Sequence, residues 1–264
     1  MKNKMNYNLI IGIAITGAVL LLAFLSFFWT PYDPTGMDAA LKNQAPSWMH
    51  IFGTDNFGRD IFSRVMSGTG TTCMVALCTV GIGGLIGTVV GAVTGYFGGW
   101  LDEIIMRLND SLLAFPSVLL ALICNSLLGP GQYNIVIALG ILFIPSFARI
   151  VRGEVIRLKS LDFVKSAKVM GAGKFRIIFV HILPNIKVSL LTSAAIGINN
   201  AVLAEASMSY LGLGVQPPTA SLGRMVSEAQ SYLFNAPWYA IFPGLMIVVI
   251  ILGFGFINEG LREG

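Results

Sequence analysis

The side chains able to carry chemistry are few. Two histidines, His50 and His181, and three cysteines, Cys73, Cys78 and Cys124, stand in a chain of 264 residues. The cysteines all lie in apolar runs, and Cys73 and Cys78 are five apart, which is not one helical face. None has metal-ligand spacing to a histidine. The three read as buried apolar residues. Asp55 and Asp60 lie in the segment Gly53-Thr54-Asp55-Asn56-Phe57-Gly58-Arg59-Asp60. Either could act as a catalytic carboxylate, but the context favours structural roles: Asp55 as the cap of a short helix, and Arg59 paired with Asp60 near a membrane interface. Glu205 ends an apolar run, where a carboxylate is costly and often functional. It reads as a gate or pathway residue, or as a solvated interfacial carboxylate. Gly171-Ala172-Gly173-Lys174 looks like a phosphate loop, yet that pattern needs Gly at 168 and Ser or Thr at 175. The chain has Lys168 and Phe175. No ATP site, metal site or nucleophile–base pair is predicted, and no cofactor bound by this chain.

The elements around these residues are set by hydropathy. Mean hydropathy is +0.76 and 11% of residues are charged, against about 25% in soluble domains. The chain therefore reads as an all-α integral membrane protein. Six apolar runs approach the ~20 residues of a span: Leu9–Trp29, Thr71–Gly95, Ser111–Leu128 with Pro116 inside it, Tyr133–Phe147, Val188–Leu203 and Tyr239–Ile257. The first is longer than a signal-peptide core and lacks a small-x-small cleavage site, so a retained first span is predicted. Thr30–Gly70 and Ala220–Trp238 read as external loops, the latter with a short amphipathic helix near Arg224–Leu233. Gly98–Asp110 reads as a short turn. Within the second run Gly83, Gly87, Gly91 and Gly95 recur every four residues, a stripe that lets helix backbones approach closely in lipid.

Of the 17 lysines and arginines, only Lys42, Arg59, Arg64 and Arg224 fall on the side of the two external loops. That asymmetry predicts both termini in the cytoplasm and an even number of spans. In such a chain the net charge of +4 is not a nucleic-acid signal. His50 and His181 then lie on opposite sides of the membrane.

The stretch from Asp162 to Asn185 is the one long basic segment, flanked by apolar runs. Ser166 and Ala167 are small. Gly171 follows four residues after Ala167, where a helix can break or another backbone can come close. Leu183-Pro184 closes the segment, and Pro184 can open the next helix because it needs no donor there. Two short helices around a glycine bend are predicted, with small side chains presented to a partner. The plainer reading is a solvated basic loop.

The spacing small-Ala-x-x-x-Gly followed by Leu-Pro resembles the "EAA" loop of ABC importer permeases. By position Lys165 takes the Glu place, Ser166 and Ala167 the two Ala places, Gly171 the Gly place, and Leu183-Pro184 the terminal pair. Lys165 reverses the usual charge and Ser166 replaces an alanine. The segment Gly53, Thr54, Asp55, Gly58, Arg59 and Asp60, and the stretch Leu211-Gly212-Leu213-Gly214-Val215-Gln216-Pro217-Pro218, are similar to those of the C-type permeases of the dipeptide, oligopeptide and nickel importers. The resemblance implies six transmembrane helices in a type I ABC importer permease (MetI-like) fold. It implies a first helix and external loop over 1–70, and a five-helix core over 71–264 with a coupling loop at 153–187. It further implies a second homologous permease as heterodimer partner, two ATPase subunits that hold ATP and Mg, an extracytoplasmic substrate-binding protein, and short peptides or nickel chelates as substrate. An ion-coupled secondary transporter is the alternative. That mechanism predicts intramembrane charges or matching interrupted helices in two repeats, and neither is evident. A structural or assembly subunit is the weaker alternative.

Overall fold

The computed structural model describes residues 7–263, and Lys2 and Lys4 lie outside them. Ten helices are formed: α1 (Tyr7–Leu25), α2 (Ile61–Phe97), α3 (Gly99–Ala114), α4 (Ser117–Leu128), α5 (Gln132–Lys159), α6 (Asp162–Val169), α7 (Lys174–Arg176), α8 (Lys187–Tyr210), α9 (Leu222–Ala229) and α10 (Trp238–Glu263). A π-turn over Ile177–Ile182 and a 3₁₀ turn over Leu183–Ile186 join α7 to α8.

Among the described residues five helical stretches are long and apolar enough to cross a membrane: Tyr7–Leu25, Ile61–Phe97, Gln132–Lys159, Lys174–Tyr210 and Trp238–Arg262. The expected run over 111–128 is not one of them. It breaks at Phe115-Pro116 into α3 and α4, because proline lacks the N–H that a helix needs and pushes the residue before it into the extended region. Phe115 sits there, at φ −82° and ψ 140°. With 12 residues, α4 rises about 18 Å, short of a ~30 Å hydrocarbon core. The segment over 98–110, expected as a turn, forms most of α3. Pro145 and Pro243 stay inside α5 and α10.

At 37 residues, α2 is about 55 Å long, more than a ~30 Å hydrocarbon core. It starts at Ile61, ten residues before the apolar run suggests, and residue 70 falls inside it. Its main packing partner is α5, and α8 and α1 also lean on it. The α2–α5 contact runs along the glycine stripe. A Cβ on Gly87 would lie 2.6 Å from Phe147 Cβ and 2.7 Å from the Ile144 carbonyl oxygen, and Gly83, Gly91 and Gly95 approach Phe143, Ala148 and Arg152 in the same way. A second close seam joins α1 to α10, where Gly12 meets the Ile257 backbone and Gly260 meets Leu9. The largest core cluster joins α1, α2, α8, α9 and α10 through Val19, Val65, Ala201, Met225 and Phe254. Cys73 is buried in it; Cys78, expected to be buried as well, is exposed on the α2 surface.

Candidate functional site: the basic segment and the buried outer charge cluster

The basic segment folds as a short helix, a bend and a second helix. α6 ends at Val169, and Gly171 adopts φ +84°, a left-handed conformation that glycine enters without strain. The Ala172 N–H then bonds back to the Ala167 carbonyl at 3.0 Å, which closes the helix end. Pro184 stands in the first turn of the 3₁₀ segment. Leu183 packs against a second core cluster formed by Val151, Val155, Val164, Ile177, Ile178 and Ile182. That cluster fixes the segment to the C-terminal end of α5. Polar ties hold the helices beside it: the Arg152 guanidinium grips Asp102 with two bonds of 2.6 Å, joining α5 to α3, and Ser189 Oγ donates to Glu154 at 3.1 Å, joining α8 to α5.

One expectation is corrected here. Ala167 does not face outward beside Gly171. It is 2% exposed, packed inward with Val164, because positions 164 and 167 share one helical face. The outward surface carries Lys165, Ser166 and Gly171, together with the exposed apolar side chains Phe163, Val169, Met170 and Phe175. Lys165 reaches back to Asp162 at 3.1 Å in a solvated pair. The π-turn at 177–182 had no sequence signal.

At the opposite end of α2 and α5 the motif over 53–60 builds a buried charge cluster. Asp60, not Asp55, caps the helix: its Oδ2 accepts from the Ser63 N–H at the start of α2, 2.7 Å away. Its Oδ1 lies 2.9 Å from His50 Nδ1. Arg59 pairs with Asp55 rather than Asp60, with Nε donating to Oδ2 at 2.6 Å. Asp55 Oδ1 accepts from the N–H groups of Phe57 and Arg59, so it closes its own turn. Thr54 Oγ1 bonds the Leu41 carbonyl, and Gly58, at φ +76°, lies against the Asp38 backbone where no side chain fits. All of Thr54, Asp55, Arg59 and Asp60 are buried.

Sequence reasoning missed the hub of this cluster, Glu228 on α9. Its Oε2 accepts from Arg59 Nη2 at 3.0 Å and from the Tyr239 hydroxyl at 2.8 Å, and Oε1 accepts from Arg224 Nε at 3.1 Å. Arg64 Nη2 lies at 3.5 Å. Burial alone would raise the Glu228 carboxyl; Tyr239, Arg64, Arg59 and Arg224 outweigh it and hold it below its ordinary value. Burial alone would lower Arg59; Asp55 and Glu228 outweigh that and hold it above its own. A Glu one turn after Arg224 on a polar helix was the available signal, but nothing local says that it turns inward.

Glu205 is not a solvated interfacial carboxylate. It is wholly buried in α8 and accepts from Thr72 Oγ1 of α2 at 2.8 Å and from Ser209 Oγ at 2.6 Å. The Val215 N–H bonds Ser209 Oγ, and the Leu222 N–H points at Thr72 Oγ1. Glu205 therefore ties α2 and α8 to the loop over 211–222. No group of three or more His, Cys, Asp or Glu side chains that could hold a metal occurs among the described residues.

Comparison with known proteins agrees with this geometry. Over 262 residues the chain is 39% identical to the dipeptide transport system permease protein DppC of Alkalihalophilus pseudofirmus, covering 99% of this chain and 85% of that protein. It is 42% identical over 246 residues to the glutathione transport system permease protein GsiD of Pectobacterium atrosepticum, covering 93% and 82%. A chain of the MetNI methionine ABC transporter, solved in inward-facing conformations, superposes with a TM-score of 0.61 at 18% identity, over 76% of this chain and 95% of that one. That likeness shows the type I ABC importer permease fold. Residues 87–262 match the family model for binding-protein-dependent transport system inner membrane components. The chain, a multi-pass membrane protein and an ABC transport permease, belongs to the binding-protein-dependent transport system inner membrane component family.

Proposed function

We propose that this permease imports short peptides and couples to ATP hydrolysis through its basic segment. The observation that carries the coupling role is the outward face of Phe163, Val169, Met170 and Phe175, apolar side chains left exposed in a basic segment. A solvated loop has no reason to hold four large apolar groups on the surface, whereas a docking helix does. Around it the core cluster of α5 and the π-turn gives the segment a fixed base. In this reading the face seats on an ATPase subunit, and two such subunits hold ATP and Mg. This chain itself binds no cofactor. It pairs with a second homologous permease and receives substrate from an extracytoplasmic binding protein. The Lys/Arg asymmetry supports termini and a basic segment in the cytoplasm of a prokaryotic cell, and in this reading α3 and α4, broken at Pro116, together return the chain across the membrane between the parallel helices α2 and α5. Short peptides are favoured over nickel chelates because the relatives described are named for dipeptides and glutathione.

The test is cross-linking in membranes. Cys73, Cys78 and Cys124 are replaced by serine, Met170→Cys is introduced, and the complex is co-expressed with its ATPase subunits. A cross-link from position 170 to an ATPase subunit is expected, sensitive to nucleotide. No cross-link from position 170, with the complex intact, contradicts the docking role.

A further inference from the structure

A cavity of about 520 Å³ lies between α5 and α8. Most of its wall is apolar, supplied by residues such as Leu139, Phe143, Phe147 and Met208. Four polar side chains interrupt it. Ser193, Asn200 and Ser207 come from α8 at steps of seven, which places them on one face two turns apart. Ser146 comes from α5. The Ser193 and Ser207 hydroxyls each donate to a carbonyl one turn back, Ser189 and Leu203, at 2.7 Å. Their lone pairs stay free to accept. Among the described residues no group hydrogen-bonds the exposed Asn200 amide or Ser146 hydroxyl.

The position of Asn200 makes this arrangement informative. It stands inside α8, ten residues before its end, in a helical stretch long and apolar enough to cross a membrane. An unpaired amide facing lipid there is strongly disfavoured. The face must therefore meet something polar. Among the described residues no acidic, basic, histidine or cysteine side chain lines the cavity, so it holds no ligand set for a bare divalent cation. It offers donors and acceptors spaced along an apolar trough, which suits a neutral amide backbone with variable side chains.

We propose that this cavity is one wall of the substrate path, and that Asn200, with Ser146, Ser193 and Ser207, hydrogen-bonds the amide backbone of a short peptide in passage. This assignment rests on the peptide-import reading above.

The test uses the complete complex in proteoliposomes, with a radiolabelled dipeptide as probe and uptake as readout. Asn200→Leu is expected to lower uptake at subsaturating peptide about tenfold, the loss of one or two hydrogen bonds. Asn200→Gln recovers part of the uptake, and both variants are compared at equal amounts of assembled complex in the membrane. Alongside, Asn200→Cys in a chain with its three native cysteines replaced is expected to react with a water-soluble thiol reagent, and the dipeptide should slow that reaction during turnover. Wild-type uptake in Asn200→Leu overturns the path assignment and leaves the peptide reading standing. A cysteine at 200 that reacts only with lipid-soluble reagents, or not at all because a partner helix covers it, overturns it also. No dipeptide uptake by the wild-type complex overturns the peptide reading and this assignment together.

Discussion

The Arg59 guanidinium and the Glu228 carboxylate meet at 3.0 Å across 169 positions of sequence. This pair locks the loop before α2 to α9 and to the start of α10, through Asp55 on one side and Tyr239 on the other. Removing the carboxylate leaves the buried arginines Arg59 and Arg64 and the Tyr239 hydroxyl short of an acceptor. Glu228→Ala should cost about 3 kcal/mol, the scale for breaking a buried pair from one side. A fall in the thermal unfolding midpoint of the solubilised complex, with faster proteolysis of residues 30–60, is the expected result. Glu228→Gln keeps the shape and should be milder.

The same hub sets an acid response. The Glu228 carboxyl titrates lower in the fold than its ordinary value of 4.5. Its stabilisation is thus complete above the ordinary value and is lost as pH falls through the lowered folded value. Protease sensitivity of the outer loop should stay flat from neutral pH to about 5 and rise in stronger acid. In Glu228→Gln this rise should flatten. An unchanged acid profile in that variant would place the response on other carboxylates.

The glycine stripe offers a position-resolved test. Gly87→Leu and Gly91→Leu drive a side chain into the α5 backbone, whereas a Cβ at Gly81, on the same helix, meets nothing within 4 Å. Loss of assembled permease is expected for the first two, and normal assembly for Gly81→Leu. Equal behaviour of all three would mean that α2 does not pack on α5 along this seam.

Glu205 predicts a difference between two substitutions. Glu205→Gln keeps an acceptor for Thr72 or Ser209, while Glu205→Leu strands both hydroxyls in a core that water does not reach. The leucine variant should lose about 1–3 kcal/mol and loosen the external loop over 211–222, read as hydrogen exchange at Val215 and Leu222. A glutamine variant as damaged as the leucine one would show that the charge itself is needed.

How much was legible in the sequence follows from which forces are local. Hydropathy set α1 and α10 and the start of α5, which continues to Lys159, twelve residues past the expected end at Phe147; the four-residue glycine period marked a packing seam without naming α5 as its partner, because span length and helix spacing are properties of one segment. Pro116 signalled a disturbance, but whether it kinks or breaks depends on what supports the freed backbone, and Phe115 turned extended. The outer motif was visible as a unit, yet its pairings were misassigned. Arg59 chose Asp55 and Glu228 over the adjacent Asp60, since Asp60 was already committed to the α2 N-terminus and His50. Long-range partners such as Glu228 and Tyr239 leave no trace in local spacing. In the basic segment the bend at Gly171 was legible from its residue type, whereas the inward turn of Ala167 was not, because it depends on the cluster under α6.

The coupling role of that segment is the central claim, and uptake together with substrate-stimulated ATP hydrolysis in the reconstituted complex tests it most directly. Met170→Asp changes only an exposed side chain, so the permease should still insert and assemble. Gly171→Asp adds a charge beside it and strains the left-handed bend. Ala167→Arg is a different lesion, since it forces a charge into the inner face of α6, and Lys165→Ala should be mild. An unpaired charge buried at a docking surface is strongly unfavourable. Both Met170→Asp and Gly171→Asp are therefore expected to abolish uptake and stimulated hydrolysis while the assembled permease remains in the membrane. Wild-type uptake and wild-type stimulation in both variants would contradict the account.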